Sequence, residues 1–207
     1  TLRADENVAI LGANGAGKST LIKIITREYY PIADGRSVCK VWGRDRWKLF
    51  ELRELLGIVS NDLQAACSRD VPGFETVLSG FFGGIGLHQG QRVTVPMKRK
   101  AAKILEFLEI GHLRDRKMSV MSSGEARRFL IARALIHDPE VLILDEPTNS
   151  LDLRSTHYFK EMLRKIARSG IRIVLVTQHL PDIIPEIARV VLMKNGRVLE
   201  DGPKETM

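Results

Sequence analysis

The stretch GANGAGKST at residues 12–20 constrains the fold more than any other part of the chain. It follows a short apolar run, NVAIL at residues 7–11, and precedes LIKIITREYY, whose apolar residues recur at helical spacing. This order is typical of a buried strand, a glycine loop and a helix. The loop matches the pattern G-x-x-x-x-G-K-[ST], in which glycines let backbone N–H groups turn inward around phosphates. The local order therefore predicts a phosphate-binding loop.

The residues of this phosphate loop carry separate tasks in nucleotide binding. The lysine of the pattern, Lys18, places a positive charge on the β- and γ-phosphates, and the hydroxyl of Ser19 is placed to ligate Mg²⁺. The pattern thus predicts a P-loop NTPase with a Mg²⁺ site, and by itself it does not say which kind of NTPase. The candidate nucleotide-binding residues of the loop are Gly12, Ala13, Asn14, Gly15, Ala16, Gly17, Lys18, Ser19 and Thr20.

A second chemical motif follows the apolar run VLIL at residues 141–144. A continuous apolar run suits a strand buried on both faces of a parallel sheet. Asp145 comes at the end of this strand, where a carboxylate can hold Mg²⁺. Glu146 is one residue further along, where it could polarise an attacking water. We therefore predict Asp145 as a metal ligand and Glu146 as the catalytic residue.

The remaining periodicities predict an α/β fold. IRIVLVT at residues 171–177 is a further buried strand, RELLGIVS at residues 53–60 carries a short one, and VVLMKNGRVLEDG resembles a hairpin turning at Asn195–Gly196. Between them, residues 98–109 and 125–137 show helical spacing, and Gly111 is expected to end the first of these helices. We predict one domain over residues 1–207: an α/β core with a mostly parallel sheet and an antiparallel β element (1–60 and 140–207), and an inserted helical subdomain (about 61–139).

The composition limits the kinds of partner and the cellular location that we expect. The chain has 207 residues, of which 44% are apolar and 28% charged, as in a protein that buries a core. Its formal net charge of +7 suits nucleotide, nucleic acid or an acidic surface as a partner. Cys39 and Cys67 form neither a metal spacing nor a disulfide framework, so we expect two reduced thiols in a cytoplasmic protein. No apolar run is long enough to cross a bilayer.

Four motifs in this order, GANGAGKST, MSSGE, VLILDEPTNSLD and VTQH, resemble the nucleotide-binding domain of ABC-type ATPases over essentially the whole chain. The second motif, at residues 121–125, stands where that family usually has LSGGQ, and is called the signature segment below. Ser122 and Gly124 keep the usual residues, whereas Ser123 and Glu125 depart from them. The combination VSNDLQ, TVLSGFF and SSGEARR also resembles a soluble branch related to molybdate-transport and photorepair-type ATP-binding proteins.

The resemblance implies a head-to-tail dimer with two ATP molecules between the subunits. Each ATP then contacts the phosphate loop of one copy and the signature segment of the other, so that Ser122, Ser123 and Gly124 bind nucleotide in trans. Glu125 stands three residues after Ser122, as in a capping box. If its carboxylate folds back onto the cap, the helix start remains an anion site; if it points at the nucleotide, it weakens binding. We predict the cap.

The resemblance also carries residues of three loops across. Ser150, Leu151 and Asp152 match the loop that crosses between subunits, so Asp152 is a candidate nucleotide-binding residue. Gln178 and His179 compete for the place of the switch histidine, and we predict His179 at the γ-phosphate. Asn61 aligns with the glutamine that contacts Mg²⁺, with Gln64 three residues further on. We prefer Gln64 as the metal ligand because of its longer reach.

Two expectations concern the surroundings of the site. No aromatic residue precedes Gly12, so the adenine-stacking residue and the strands before the phosphate loop either belong to a removed N-terminal segment or are absent. Phe81 and Phe82, among glycines, form either a docking surface for a membrane partner or a core contact. The chain is then either the motor of a transporter, peripheral on the cytoplasmic face of the membrane, or a soluble ATPase that acts on a cytosolic or nucleic-acid partner.

Overall fold

The computed structural model describes residue 2 and residues 5–32, 39–67 and 70–206. Within these residues, the strands form a six-stranded sheet in the order β2-β3-β4-β1-β5-β6. The strands are β1 (Val8–Leu11), β2 (Leu56–Val59), β3 (Val141–Asp145), β4 (Arg172–Thr177), β5 (Arg189–Lys194) and β6 (Arg197–Pro203). All neighbouring pairs are parallel except β5 and β6, which are antiparallel. The predicted mostly parallel sheet with an antiparallel element is confirmed.

The hairpin between β5 and β6 turns where the sequence predicts. Asn195 and Gly196 have φ angles of 51° and 74°, so both lie in the left-handed region. A two-residue turn of this kind matches the twist of its strands and favours Asn-Gly. Gly196 also donates its backbone N–H to the carbonyl of Ala16 at 3.0 Å, so the hairpin tip supports the phosphate loop.

Helices connect the parallel strands and fill the predicted insert. Their bounds are α1 (Lys18–Ile25), α2 (Leu49–Leu55), α3 (Asn61–Cys67), α4 (Gly73–Ser79), α5 (Val95–Phe107), α6 (Ser123–Ala134) and α7 (Leu153–Arg168). Short 3₁₀ turns occupy residues 80–82, 111–113, 118–120, 135–137, 180–182 and 204–206. The helices α3 to α6 lie between β2 and β3 in the chain, so the mostly helical middle is confirmed, whereas the division near residues 61 and 139 stays a prediction.

One helix end differs from the prediction. Helix α5 stops at Phe107, and Glu109 takes the left-handed conformation with φ 60°. Gly111 instead starts a 3₁₀ turn and has no positive φ. The prediction that Gly111 ends the helix is wrong, because the non-glycine residue Glu109 reverses the chain first. Its carboxylate pairs with Lys165 of α7 at 2.7 Å.

The core lies on both faces of the sheet, and strand β3 shows how. Leu142 and Leu144 belong to the cluster that contains Phe129 of α6. Val141 and Ile143 belong to a second cluster, which contains Ile22 of α1. Successive side chains of a strand point to opposite faces, so a continuous apolar run is required when both faces are covered. This burial fixes β3 inside the sheet and places its last residue, Asp145, at the carboxyl end of the strand.

The insert packs onto the cluster that contains Phe129. Phe81 contacts this cluster and packs edge-on against the His137 ring, with centroids 5.8 Å apart. For Phe81, the core contact is therefore the alternative that the structure supports. Within the described ranges, none of the helices has the length and apolar character that crossing a membrane requires.

Candidate nucleotide site

The carboxyl ends of three parallel strands meet at one edge of the sheet. Strand β4 lies between β1 and β3, with Leu11 opposite Thr177 and Asp145 opposite Val176. Gly12 donates its N–H to the carbonyl of Thr177 at 3.3 Å, which continues the pairing into the phosphate loop. In open α/β sheets, ligands bind outside the carboxyl ends of the strands. The phosphate loop and the acidic pair thus lie together at such an edge.

The phosphate loop needs glycine at specific positions. A Cβ at Gly12 would lie 2.5 Å from the carbonyl oxygen of Met193 in β5, closer than real atoms approach. Gly15 and Gly17 have φ angles of 78° and 96°, a region that side chains rarely adopt. Together with the hairpin tip, these constraints hold the loop in a tight turn at the start of α1.

Lys18 and Glu146 meet across the site. Lys18 is 5% exposed, and its Nζ donates to the carbonyl of Gly12 at 2.7 Å and to that of Ala13 at 3.2 Å. The same Nζ lies 3.1 Å from Oε1 of Glu146. Glu146 is itself buried and has φ 49°, a strained conformation for a non-glycine residue at the end of a strand. The structure thus brings the predicted phosphate-binding cation and the predicted catalytic carboxylate together.

The donor set fits ATP and Mg²⁺. Among the described residues, the buried carboxylate atoms without a hydrogen bond are Oδ1 of Asp145 and both oxygens of Glu146, of which Oε1 has the ion pair with Lys18. Buried carboxylate oxygens of this kind require a cation or a donor, and hard oxygen ligands are those that Mg²⁺ prefers. Ala13, Asn14, Gly15, Ser19 and Thr20 are exposed, and Ala16 and Gly17 are at least partly covered.

The two candidates for the glutamine position both contact one arginine. Oε1 of Gln64 accepts from Nη2 of Arg127 at 2.6 Å and from its Nε at 2.9 Å. Oδ1 of Asn61 accepts from the same Nη2 at 3.0 Å. Arg127 is 4% exposed and belongs to α6, the helix that follows the signature segment. The choice between Asn61 and Gln64 as metal ligand stays a prediction.

The start of helix α6 forms the predicted capping box. The Oγ atom of Ser122 accepts from the N–H of Glu125 at 3.2 Å, and Oε2 of Glu125 accepts from the N–H of Ser122 at 2.8 Å. Arg116 binds the other carboxylate oxygen at 3.1 Å. Partial burial opposes ionisation, yet these hydrogen bonds and Arg116 hold the pKa of Glu125 below its ordinary value. The prediction that Glu125 folds back onto the cap is confirmed.

The cavity beside this helix start contains no residue of the phosphate loop. It is lined by residues of α6 and α7 and by Ser122, including Gly124, Ser155 and Tyr158. Ser122 is exposed and Ser123 is partly exposed, so both remain accessible from outside the chain.

The loop after Glu146 ends in a helix cap. Asp152 accepts from the N–H and the Oγ of Ser155, at 2.8 and 2.7 Å. These bonds lower the pKa of the Asp152 carboxyl below its ordinary value. In this structure Asp152 therefore caps α7, and its predicted nucleotide contact stays a prediction.

A buried aspartate connects the end of β4 with that same loop. Asp182 is 6% exposed, and its Oδ2 accepts from the hydroxyls of Thr148 and Thr177, the latter at 2.9 Å. The N–H of His179 donates in turn to Oγ1 of Thr177 at 3.0 Å. His179 is exposed and Gln178 is half-buried, and their roles at the γ-phosphate stay predictions.

Sequence reasoning missed two of these residues, Arg127 and Asp182. Each is a charged residue that is buried between segments distant in the chain. The pair of arginines in SSGEARR, directly before the apolar run FLIA, was the available signal for Arg127. Periodicity places this residue on the helix but does not identify its partners.

The strand order and the phosphate loop define the class of the protein as a P-loop NTPase with an α/β fold. The family model described as "ABC transporter" matches residues 1–149. The uncharacterised ABC transporter ATP-binding protein YlmA of Bacillus subtilis (strain 168) is 34% identical, in an alignment that covers 98% of this chain and 76% of YlmA. The chain therefore belongs to the ABC transporter family and is an ABC-type ATPase.

Solved structures agree with this fold. The structure of cbiO1 from Clostridium perfringens, part of the ABC transporter complex cbiONQ, superposes with a TM-score of 0.78 at 29% identity, over 100% of this chain and 80% of that one. A nucleotide-free ATP-binding cassette from an ABC transporter superposes with a TM-score of 0.81, over 96% and 81% of the two chains. At 24% identity, this second likeness concerns the fold alone.

Proposed function

We propose that two copies of this chain bind two ATP molecules head to tail and hydrolyse them to power a membrane transporter. The observation that carries the proposal is the approach of Lys18, which follows β1, to Glu146, which follows Asp145 at the end of β3, with 3.1 Å between Lys18 Nζ and Glu146 Oε1. A buried carboxylate beside the phosphate-binding lysine is placed to act on a water at the γ-phosphate.

Each group in this site has a distinct role. Backbone N–H groups of the phosphate loop and Lys18 bind the phosphates. Ser19, Asp145 and Gln64 would hold Mg²⁺, which would supply positive charge against the negative charge that develops on the phosphates. Glu146 orients the attacking water and accepts its proton. His179 contacts the γ-phosphate from the end of β4.

The signature segment supports the dimer. Its helix start offers backbone N–H groups of Ser123 and Gly124 and the hydroxyl of Ser122 to an anion. The cavity beside it is lined by residues of α6 and α7 and by Ser122, with no residue of the phosphate loop. This supports an arrangement in which the γ-phosphate on one copy meets the helix start of a second copy, with Asp152 at the crossing loop.

The partner is a membrane-spanning transporter subunit. cbiO1, at 29% identity, is part of a transporter complex, and YlmA carries the name of an uncharacterised ABC transporter ATP-binding protein. A chain with this partner acts at the cytoplasmic face of the membrane. The comparisons give no support to a nucleic-acid partner.

The catalytic assignment is tested with Glu146→Gln. We expect this variant to keep MgATP binding, to lose hydrolysis by about a hundredfold or more, and to form a stable dimer with MgATP in size-exclusion chromatography with light scattering. The matched control is Glu140→Gln, the same change at an exposed glutamate before β3. Wild-type turnover by Glu146→Gln would remove Glu146 from the catalytic role.

The composite site is tested by complementation. Lys18→Ala removes the phosphate-loop cation, and Ser122→Arg blocks the signature segment. We expect neither variant to hydrolyse ATP alone, whereas a mixture forms heterodimers that contain one intact site and regains activity. A mixture as inactive as its components, at concentrations where the wild type dimerises, would exclude a shared site.

The transporter partner is tested by affinity purification of the full-length protein with the membranes retained. We expect to recover a multi-span protein, and less of it from a Gly12→Ala variant used as a control for nucleotide dependence. Recovery of only soluble proteins or nucleic acid would favour the soluble alternative.

A further inference from the structure

Arg127 joins three segments that the proposed function uses separately. From α6, its Nε and Nη2 donate to Oε1 of Gln64, and its Nη2 also donates to Asn61. Its Nη1 donates to the carbonyls of Pro147 and of Asn149, the latter at 3.0 Å. The helix behind the signature segment is thereby bonded both to the candidate metal ligand and to the backbone directly after Glu146.

The guanidinium is a buried cation held by neutral groups. Its hydrogen-bond acceptors among the described residues are two side-chain amides and two backbone carbonyls. Burial lowers the pKa of Arg127 from its ordinary value, and no carboxylate offsets that effect. Breaking a hydrogen bond of a buried charged group costs much free energy, because the donor is left without water or another acceptor.

The amide oxygen of Gln64 is already saturated. A carbonyl oxygen has two lone pairs, and the two bonds from Arg127, at 2.6 and 2.9 Å, use both. If Gln64 is to ligate Mg²⁺ through this oxygen, at least one bond to Arg127 must break. Metal binding and the Arg127 contact therefore compete for one atom.

We propose that Arg127 is a positioning residue that holds the Gln64 oxygen away from Mg²⁺ and fixes the backbone of residues 147–149 behind Glu146. The proposal rests on the proposed function, because it assigns Gln64 to the metal of that site. Release of Gln64 to Mg²⁺ leaves Arg127 bonded to the carbonyls of Pro147 and Asn149. Arg127 thus links the metal ligand to the loop that meets the second copy.

The test is the Mg²⁺ concentration at half-maximal ATPase rate, measured at saturating ATP. Arg127→Lys keeps the positive charge but cannot donate along both edges of a planar fork. We expect it to lower the half-saturating Mg²⁺ concentration by about tenfold, which corresponds to about 1.4 kcal/mol, and to lower kcat because residues 147–149 lose their anchor. In a Gln64→Ala background, adding Arg127→Lys should not change the half-saturating Mg²⁺ concentration any further.

Arg133→Lys is the matched control. Arg133 lies on the same helix and donates to the carbonyl of Gly84 at 2.7 Å and to Ser79, away from Gln64. Its substitution should leave the half-saturating Mg²⁺ concentration unchanged. A role in folding alone would lower kcat or the melting temperature of Arg127→Lys without moving the Mg²⁺ dependence, and that result overturns the proposal. An equal shift with and without Gln64 overturns it as well.

Hydrogen exchange measured without nucleotide separates this proposal from the proposed function. Arg127→Lys should speed exchange of the backbone amides in residues 147–152 and 61–67, and Arg133→Lys should not. Unchanged exchange overturns the holding role even in a protein that hydrolyses ATP normally. Absence of hydrolysis in the wild type would overturn the proposed function and the link to Mg²⁺, while exchange still decides whether Arg127 holds the loop.

Discussion

Replacing Asp182 by alanine is expected to destabilise the protein and to slow hydrolysis together. Its Oδ2 accepts from the hydroxyls of Thr177 and Thr148, so one carboxylate joins the end of β4 to the loop after Glu146. Thr177 is 0% exposed and Asp182 is 6% exposed. The substitution therefore leaves two hydroxyl donors without their acceptor, one on the fully buried Thr177 and one on the partly buried Thr148.

The magnitude follows from these contacts. A hydrogen bond to a charged group contributes about 1.5–3 kcal/mol, so the two bonds amount to about 3–6 kcal/mol. Removing a buried carboxylate also removes its desolvation penalty, which offsets part of that loss. We expect a net decrease of about 3 kcal/mol in the free energy of unfolding. For a chain of this size, that lowers the melting temperature by about 9 °C.

Urea unfolding and steady-state ATPase assays measure both effects. Asp182→Asn keeps a carbonyl oxygen at this position without the charge, so its loss of stability should be smaller, about 1–2 kcal/mol. Asp115→Ala is the control, because the Asp115 side chain is 88% exposed. If Asp182→Ala unfolds within about 0.5 kcal/mol of the wild type, or if it loses stability while kcat is unchanged, the coupling inferred from Thr148 and Thr177 is refuted.

Two further substitutions test the phosphate loop and the helix cap. Gly12→Ala places a methyl group against the Met193 carbonyl at 2.5 Å and should cost about 1–3 kcal/mol and abolish ATP binding, measured by urea unfolding and calorimetry, whereas Gly111→Ala meets nothing within 4 Å and should do neither. Glu125→Gln removes an ionised carboxylate whose pKa lies below the unfolded value of 4.5. The free energy of unfolding of the wild type should therefore exceed that of the variant by about 0.5 kcal/mol at pH 7. That margin should vanish as the pH falls through the lowered pKa of Glu125, and a margin that is constant from pH 7 to about pH 3 would contradict the cap.

The sequence predicted the elements whose causes are local. The apolar runs of β1, β3 and β4, the turn at Asn195–Gly196 and the capping box at Ser122 all depend on residues a few positions apart. For the same reason, the phosphate loop could be recognised as one continuous stretch. The end of α5 was predicted wrongly because a glycine was nearby, whereas Glu109 reversed the chain within the preceding turn.

By itself, the sequence determined which segments become buried strands, where the phosphate loop and the acidic pair stand, and how helix α6 begins. Only the tertiary structure decided which side chains share a buried position. Arg127 is 63 residues from Gln64 in the chain, and Thr148 is 34 residues from Asp182. Contacts over such separations exist because sheet pairing and core packing bring the segments together, and burial makes their hydrogen bonds obligatory. The residues expected to couple the two halves of the ATP site therefore became visible only in the fold.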